Sequence, residues 1–177
     1  LTVQQNSDTV LGGLYTKTKD NNLYKGNGDD KLDANDPVVT GIIVNAGATL
    51  VLVDQFSTGY ANVRLSNDFV IYGTVTSDAI LGFYLDANII DVEGGGTITA
   101  SSTAPDTSAK EIHLGSGQNL TMQVINRGTI EAKGTGSGNG GAIFIIADNL
   151  VIHEGTLDTS GGSSISGQGG NSGILDI

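Results

Sequence analysis

The chain has 177 residues, a formal net charge of −11 and a sequence pI of about 4.2, with 38% hydrophobic residues and 27 glycines. An acidic chain of this kind repels phosphates and anionic headgroups, which argues against a nucleic-acid partner and against membrane insertion. The sequence also contains no run of 18 apolar residues, the length needed to span a bilayer. Cysteine is absent, which excludes disulfides and thiolate chemistry, while the hydrophobic fraction is high enough to form a core.

The first 37 residues are polar and rich in turn-forming residues. Asp, Asn and Gly are concentrated at 20–22, 26–30 and 33–36, and Pro37 follows directly. Runs rich in Val and Ile begin only at Val38. The sequence therefore predicts a polar N-terminal cap or arm over residues 1–37 and a repetitive β-domain over residues 38–177.

A dense group of oxygen donors in the polar segment predicts a calcium site. The stretch Lys25-Gly26-Asn27-Gly28-Asp29-Asp30-Lys31-Leu32-Asp33 resembles the calcium-binding nonapeptide of the repeats-in-toxin family, with Lys25 in place of its first glycine. It can also be interpreted as an EF-hand-like or dockerin-like loop, or, without a cation, as a solvated acidic turn. The predicted calcium ligands are Asn27, Asp29, Asp30, Asp33 and Asp36.

From Val38 onward the pattern is that of short strands. Apolar runs such as 42–44, 49–53, 69–72 and 142–146 have strand length and are separated by turn residues. The acidic residues are 15 Asp and 4 Glu, and Asp is a poorer helix former than Glu. No window has a convincing helical period, so the fold class is predicted to be all-β.

A recurring Gly-Thr-apolar step predicts the architecture. The steps begin at Gly73, Gly96, Gly128 and Gly155, which lie 23, 32 and 27 residues apart, with a degenerate earlier copy at 44–50. Unequal periods of this size favour a right-handed parallel β-helix, whose coils stack and whose insertions lie in loops on one side. The glycine is expected to supply a positive φ at a sharp corner. The alternative is a jelly-roll β-sandwich in which residues 1–14 complete a neighbouring subunit by donor-strand exchange.

The last fifty residues contain two glycine-rich loops that each precede an apolar strand, at 138–145 and 169–177. The second strand reaches the last residue of the sequence without a polar cap. A β-helix with that end would expose strand edges and an apolar face. We therefore expect the natural protein either to continue or to be covered there by another subunit.

The stretch Asn119 to Ile177 resembles the coils of filamentous haemagglutinin-type proteins, which are large secreted β-helical adhesins of bacteria. Within it, residues 149–177 have the order of those coils: an apolar strand, a Gly-Thr step, a Gly/Ser/Asn-rich loop, then Gly-Gly-Asn before an apolar strand. Residues 44–50 are similar to autotransporter passenger coils. The resemblance covers roughly residues 40–177, and it implies a rod-like, extracellular, non-catalytic surface protein.

The expected function is therefore that of an extracellular or cell-surface structural or adhesive protein. It would be a subunit or segment of a fibre that self-associates into a homopolymer or continues as a longer chain, with a polysaccharide or host-surface ligand as a further partner. The alternative is a carbohydrate-active β-helix, either a polysaccharide lyase or hydrolase or a binding module. For that alternative, Asp91 and Glu131 are candidate paired carboxylates on adjacent coils. His113 and His153 are the only histidines, and no nucleophile motif is present, so the chain is not expected to be an enzyme.

Overall fold

The computed structural model describes residues 40–177 except 53, 55–58, 116–120 and 165–168, together with the backbone of four short strands between residues 2 and 25. All regular secondary structure in this part of the chain is β-strand, which confirms the all-β prediction. Side chains alternate between buried and half-exposed along these strands, as the period-two sequence pattern predicts. The same residues include no helix with the length and apolar character that a membrane crossing requires.

The strands of the N-terminal segment are β1 (Thr2–Val3), β2 (Asp8–Leu11), β3 (Tyr15–Lys17) and β4 (Leu23–Lys25). The strands that follow are β5 (Ile42–Val44), β6 (Thr49–Leu52), β7 (Tyr60–Arg64), β8 (Phe69–Ile71), β9 (Thr74–Ser77), β10 (Gly82–Asp86), β11 (Ile89–Val92), β12 (Thr97–Thr99), β13 (Glu111–Leu114), β14 (Gln123–Asn126), β15 (Thr129–Glu131), β16 (Ala142–Ile145), β17 (Leu150–His153), β18 (Thr156–Asp158) and β19 (Ile174–Asp176).

Strands β5–β19 form five stacked coils of three strands each. The first strands of the coils lie in sheet 1, in the order β1-β5-β8-β11-β14-β17; the second strands lie in sheet 2, β2-β6-β9-β12-β15-β18; and the third strands lie in sheet 3, β7-β10-β13-β16-β19. Every pairing within these three sheets is parallel. The fold is therefore a parallel β-helix. The jelly-roll alternative is wrong, because it requires antiparallel neighbours throughout.

The N-terminal segment contributes to the same stack. Strand β1 pairs in parallel with β5, and β2 pairs in parallel with β6, so sheets 1 and 2 each gain one strand at this end. Strands β3 and β4 form an antiparallel hairpin. Residues 26–39 lie outside the described residues, so the predicted boundary between 1–37 and 38–177 stays a prediction.

Inward side chains form columns along the axis. Each column takes one residue from every coil, and burying a side chain of this size contributes about 1.5–3 kcal/mol. The central columns of sheets 1, 2 and 3 are, in turn, Ile42-Phe69-Ile90-Val124, Leu50-Val75-Ile98-Ile130 and Ala61-Phe83-Ile112-Ile143, all buried. The apolar half of each strand pattern thus fills one continuous core.

The glycine of each Gly-Thr step lies at the corner between sheets 1 and 2. The predicted positive φ is wrong, because none of Gly73, Gly96, Gly128 and Gly155 is among the residues with a positive φ. A β-carbon at each of these positions would instead collide with a backbone carbonyl of the preceding coil. Close approach between coils, rather than an unusual dihedral, requires glycine here.

Insertions lie mainly between the second and third strand of each coil, which confirms the prediction of variable loops on one side. These connections are 53–59, 78–81, 100–110, 132–141 and 159–173. The last three stack on one another: the Ala109 amide donates to the Asn139 carbonyl and the Gly140 amide to the Asn171 carbonyl, both at 2.9 Å. The Asn139 side chain continues this ladder by accepting from the Asn171 amide at 2.9 Å.

Candidate functional site

The predicted calcium ligands Asn27, Asp29, Asp30, Asp33 and Asp36 lie outside the described residues, and the calcium site stays a prediction. Within the part of the chain that the structure describes, no group of three or more His, Asp or Glu side chains is arranged to hold a metal ion.

The outer face of sheet 3 carries a column of aromatic rings. Tyr84, His113 and Phe144 occupy the same register position on β10, β13 and β16. The Tyr84 and His113 rings stack with centroids 4.1 Å apart, and the His113 and Phe144 rings stack at 4.5 Å. Tyr60 meets Tyr84 edge-on at 5.1 Å. The column and Tyr60 together therefore link four successive coils through their side chains.

Glu111 connects this column to Tyr60. Its Oε2 accepts a hydrogen bond from the Tyr60 hydroxyl at 2.7 Å and lies 2.9 Å from Nε2 of His113. Because a carboxylate only accepts, Nε2 of His113 carries the proton in this contact. Burial, together with the hydrogen bond and the negative charge of Glu111, raises the pKa of Tyr60 to about 12. Burial alone would raise the pKa of Glu111, but the hydrogen bonds from His113 and Tyr60 outweigh it and lower that pKa.

These shifts favour a structural role for the Tyr60–Glu111–His113 cluster. A general base of the tyrosine type needs a lowered pKa and a general acid of the glutamate type needs a raised one, whereas both shifts here are opposite. The ring faces of His113 are covered on both sides by Tyr84 and Phe144. Those covered faces cannot serve as a platform for a sugar ring. The cluster is suited to fastening coils together.

The two carboxylates predicted as a pair do not share a column. Asp91 lies on β11 in sheet 1, between Val70 and Ile125, whereas Glu131 lies on β15 in sheet 2. The two carboxylates therefore do not stack on each other as that prediction expected. Burial raises the pKa of Asp91, as does repulsion from Glu93, against the opposing effect of Arg127 at 3.2 Å.

No strand of the described residues stacks on the coil formed by β17, β18 and β19. Strands β17, β18 and β19 each stand last in their sheets. Leu175 continues the column of Ile143, yet Leu175 is 49% exposed and Ile143 is 0% exposed. Val151 and Leu157, which continue the other two central columns, are only partly buried. The expectation that the chain continues or is covered at this end stays a prediction.

The opposite end of the stack differs. Strand β7 also stands last in its sheet, but its inward residues Ala61 and Val63 are buried. The inward residues of β5 and β6 are buried beneath β1 and β2. The inward residues are thus buried at the end of the stack next to β1 and β2 and more exposed in the coil formed by β17–β19.

A polar pair joins the coils of β14 and β17. Asn126 on β14 is an inward residue with 1% exposure, and its register partner on β17 is His153. Nδ2 of Asn126 lies 3.2 Å from Nδ1 of His153 and 3.3 Å from the Thr156 carbonyl oxygen. Sequence patterns missed this pair, because Asn126 occupies a position that is apolar in the preceding coils.

The sequence patterns also missed the aromatic column, although the position of its residues within the strands could have indicated it. Each of its members is the outward residue between two inward apolar ones, as in Phe83-Tyr84-Leu85 and Ile143-Phe144-Ile145.

Comparison with protein-family models, with curated proteins and with solved structures found no match to this chain. Of the resemblance to filamentous haemagglutinin-type coils, the structure shows the parallel β-helix.

Proposed function

We propose that this chain is an extracellular structural or adhesive protein, a subunit or segment of a cell-surface fibre whose coils join along the axis. The observation that supports this function is the repeated axial contact between coils. Five coils pair in parallel in three sheets around continuous buried apolar columns.

Neighbouring coils within the chain already make the kind of contact that axial joining would need. Each internal coil covers its neighbour by parallel pairing in three sheets and by apolar columns. A further coil stacked on the coil formed by β17–β19 would repeat those interactions, gaining about 25 cal/mol for each Å² of apolar surface removed from water. The ladder hydrogen bonds and the buried columns would fix the direction of growth along the axis.

The cell-surface setting is supported by the resemblance to secreted β-helical adhesins and by the absence of cysteine. A rod of stacked coils projects laterally accessible faces at a fixed spacing, which suits display from a surface. A polysaccharide or host-surface ligand remains part of the proposal for the adhesive role.

The test compares two lysine substitutions. Leu175→Lys places a charge in the inward column of sheet 3, whereas Ile80→Lys places the same charge on a loop residue that is 80% exposed and lies away from the end. Sedimentation velocity and negative-stain microscopy should show rods that lengthen with concentration for the natural chain and for Ile80→Lys, and single short rods for Leu175→Lys. A chain that stays monomeric at high concentration, or equal association of both variants, would contradict the axial contact.

The carbohydrate-active alternative has less support in the described residues. Its candidate carboxylates lie in different sheets, and the stacked faces of the sheet 3 aromatic column are occupied. It predicts release of reducing sugar, or retention on polysaccharide columns. Either result in a chain that does not associate would favour this alternative over the fibre.

Calcium binding by the N-terminal segment is part of the same proposal. A cation held among the Asp side chains at 29–36 would neutralise charges that repel one another. Millimolar calcium should raise the thermal midpoint, and an equal concentration of magnesium should raise it less. An unchanged midpoint would remove calcium from the proposed function without affecting the axial contact.

A further inference from the structure

The outer face of sheet 1 carries an aliphatic column along the stack. The column, called here the sheet 1 stripe, consists from coil to coil of Ile43, Val70, Asp91, Ile125 and Ile152. Ile43 is 41% exposed, and the other four members are half-buried. Leu150, which lies beside the stripe on β17, is also 41% exposed. Four of the five coils thus present an aliphatic side chain at one register position of the same lateral face.

The outer faces of the other two sheets differ from this one. Sheet 2 presents a threonine at one register position of every coil, namely Thr49, Thr74, Thr97, Thr129 and Thr156. The outer face of sheet 3 is occupied by the aromatic column, whose rings already stack on one another. A partner with an apolar surface is therefore matched best by sheet 1 among the three faces.

Carboxylates outnumber basic groups around the stripe. Nη1 of Arg127 lies 3.2 Å from Asp91 and 3.7 Å from Glu93, and its Nε lies 3.5 Å from Glu154. Asp68 adds a fourth carboxylate, close enough to Asp91 to raise its pKa. Burial and repulsion from Glu93 raise the same pKa, against the opposing effect of Arg127. One guanidinium for four carboxylates leaves an excess of negative charge, which favours a basic partner.

The geometry of the face favours a helix over an extended segment. The strands of sheet 1 pair with one another, so the backbone groups of an extended segment laid across the face would have no partners there. A helix satisfies its own backbone. Coils repeat about every 4.8 Å and a helix turn about every 5.4 Å, so a helix along the axis sets about one apolar residue against each coil. The four steps from Ile43 to Ile152 span about 19 Å, or about 13 helical residues.

We propose that the outer face of sheet 1 binds a basic amphipathic helix of another protein. The helix lies along the axis, packs its apolar side chains on the stripe and directs Lys or Arg toward Asp91, Glu93 and Glu154. This contact needs no axial joining of subunits, so it stands or falls separately from the proposed fibre.

The charge of this chain argues against its own surfaces as the occupant. In a two-fold contact between two copies, the carboxylates of the same face would lie opposite one another. The whole chain has 19 acidic and 8 basic residues, and its segment 26–39 contains four Asp and one Lys. A basic helix therefore has to come from a different protein.

The test uses the 177-residue chain and a labelled peptide of about 14 residues, long enough to cover the stripe, with Leu and Lys at amphipathic helical spacing. One control peptide has the same composition in an order without an apolar stripe, and another has Glu in place of Lys. Fluorescence anisotropy in about 0.15 M NaCl, which screens long-range attraction, measures Kd, and circular dichroism measures helix formation.

The amphipathic Lys peptide should bind and become helical. The reordered peptide should bind about tenfold more weakly or worse, and the Glu peptide should not bind. Equal binding of the reordered peptide would overturn the proposal, because general attraction to an acidic chain would then explain the result. Absence of binding, or binding without a gain of helix, would overturn it as well.

Variants of the chain locate the site. Asp91→Asn and Ile125→Thr should each weaken binding by about fivefold or more. Asp158→Asn and Val51→Thr make matching changes on the outer face of sheet 2 and should leave Kd within about twofold. Thermal unfolding checks that each variant is folded, and the nearly isosteric Asp91→Asn keeps the test decisive if Ile125→Thr is not. Equal losses in the sheet 1 and sheet 2 variants would overturn the assignment to sheet 1.

Discussion

At Gly128 the corner between sheets 1 and 2 leaves no space for a β-carbon. Such an atom would collide with the Gly96 carbonyl and lie 2.6 Å from the Glu93 carbonyl oxygen. The Gly96 carbonyl accepts the hydrogen bond of the Thr129 amide at 3.0 Å, so it is held in place. Glycine is therefore required here by the distance between coils.

Gly128→Ala is expected to lower the free energy of unfolding by about 1–3 kcal/mol, because neighbouring backbone would have to move. Gly94 offers a matched control, since nothing lies within 4 Å of the β-carbon that alanine would add there. Gly94→Ala should change stability by no more than about 0.5 kcal/mol. Urea denaturation measures both, and equal losses would contradict the close-approach explanation.

Glu111 makes the stability of the stack depend on pH at the residue scale. Its pKa is lowered from an ordinary value of 4.5, so the folded state binds its proton more weakly than the unfolded chain does. The resulting stabilisation is fully present above pH 4.5 and is lost as the pH falls through the lower folded-state pKa.

Glu111→Gln should therefore reduce the loss of stability on acidification below pH 4.5 and lower the stability at pH 7. Glu154→Gln is the control, since Glu154 is a surface carboxylate on the last coil and lies outside the Tyr60–Glu111–His113 cluster. Thermal midpoints measured between pH 7 and pH 3 give the comparison. Parallel pH curves for the natural chain and Glu111→Gln would show that the cluster does not govern this dependence.

At the scale of the elements, coils are joined by side chains as well as by backbone. The aromatic column crosses β10, β13 and β16 on the outer face of sheet 3, where the inward residues of the same strands fill the core. Stacked aromatic pairs contribute about 0.5–1.5 kcal/mol beyond the area that they bury. Side-chain contacts thus stabilise sheet 3 on its outer face as well as on its inner face.

Phe144→Leu should lower the free energy of unfolding by about 0.5–1.5 kcal/mol, because it removes the ring that stacks on His113. Phe144→Tyr keeps the ring and serves as the control, with little expected change. Chemical denaturation followed by circular dichroism measures the difference. A loss in Phe144→Tyr as large as that in Phe144→Leu would indicate that packing at the ring edge, rather than stacking, is what matters.

At the scale of the whole chain, five described coils form one stack and the net charge is −11. Two copies that approach each other therefore repel at long range. The screening length falls from about 30 Å at 0.01 M salt to about 8 Å at 0.15 M salt, so salt weakens this repulsion. Apolar contact between coils is not weakened in the same way.

Association of the natural chain should accordingly strengthen as NaCl is raised from 0.01 M to 0.15 M, in sedimentation equilibrium at pH 7. The Leu175→Lys variant should remain monomeric at both salt concentrations. Association that weakens with salt would mean that ion pairs, rather than apolar columns, hold the contact.

The sequence by itself determined the class of fold and the repeating unit. Short apolar runs with a period of two require strands, and the Gly-Thr steps mark one corner of every coil, because both features depend on neighbours in the chain. The glycine requirement was located correctly at Gly73, Gly96, Gly128 and Gly155, but its cause depends on the adjacent coil and could not be read locally.

The tertiary structure alone decided which side chains meet. Tyr84, His113 and Phe144 share a column, and Asp91 and Glu131 do not, although nothing in their spacing along the chain distinguishes the two cases. Loops as different as 78–81 and 159–173 separate equivalent strands. The number of residues in a coil varies, so spacing along the chain does not tell which side chains meet. Those contacts depend on how the backbone of each coil folds back onto the stack. The polar pair Asn126–His153 can therefore be identified only from the folded coils.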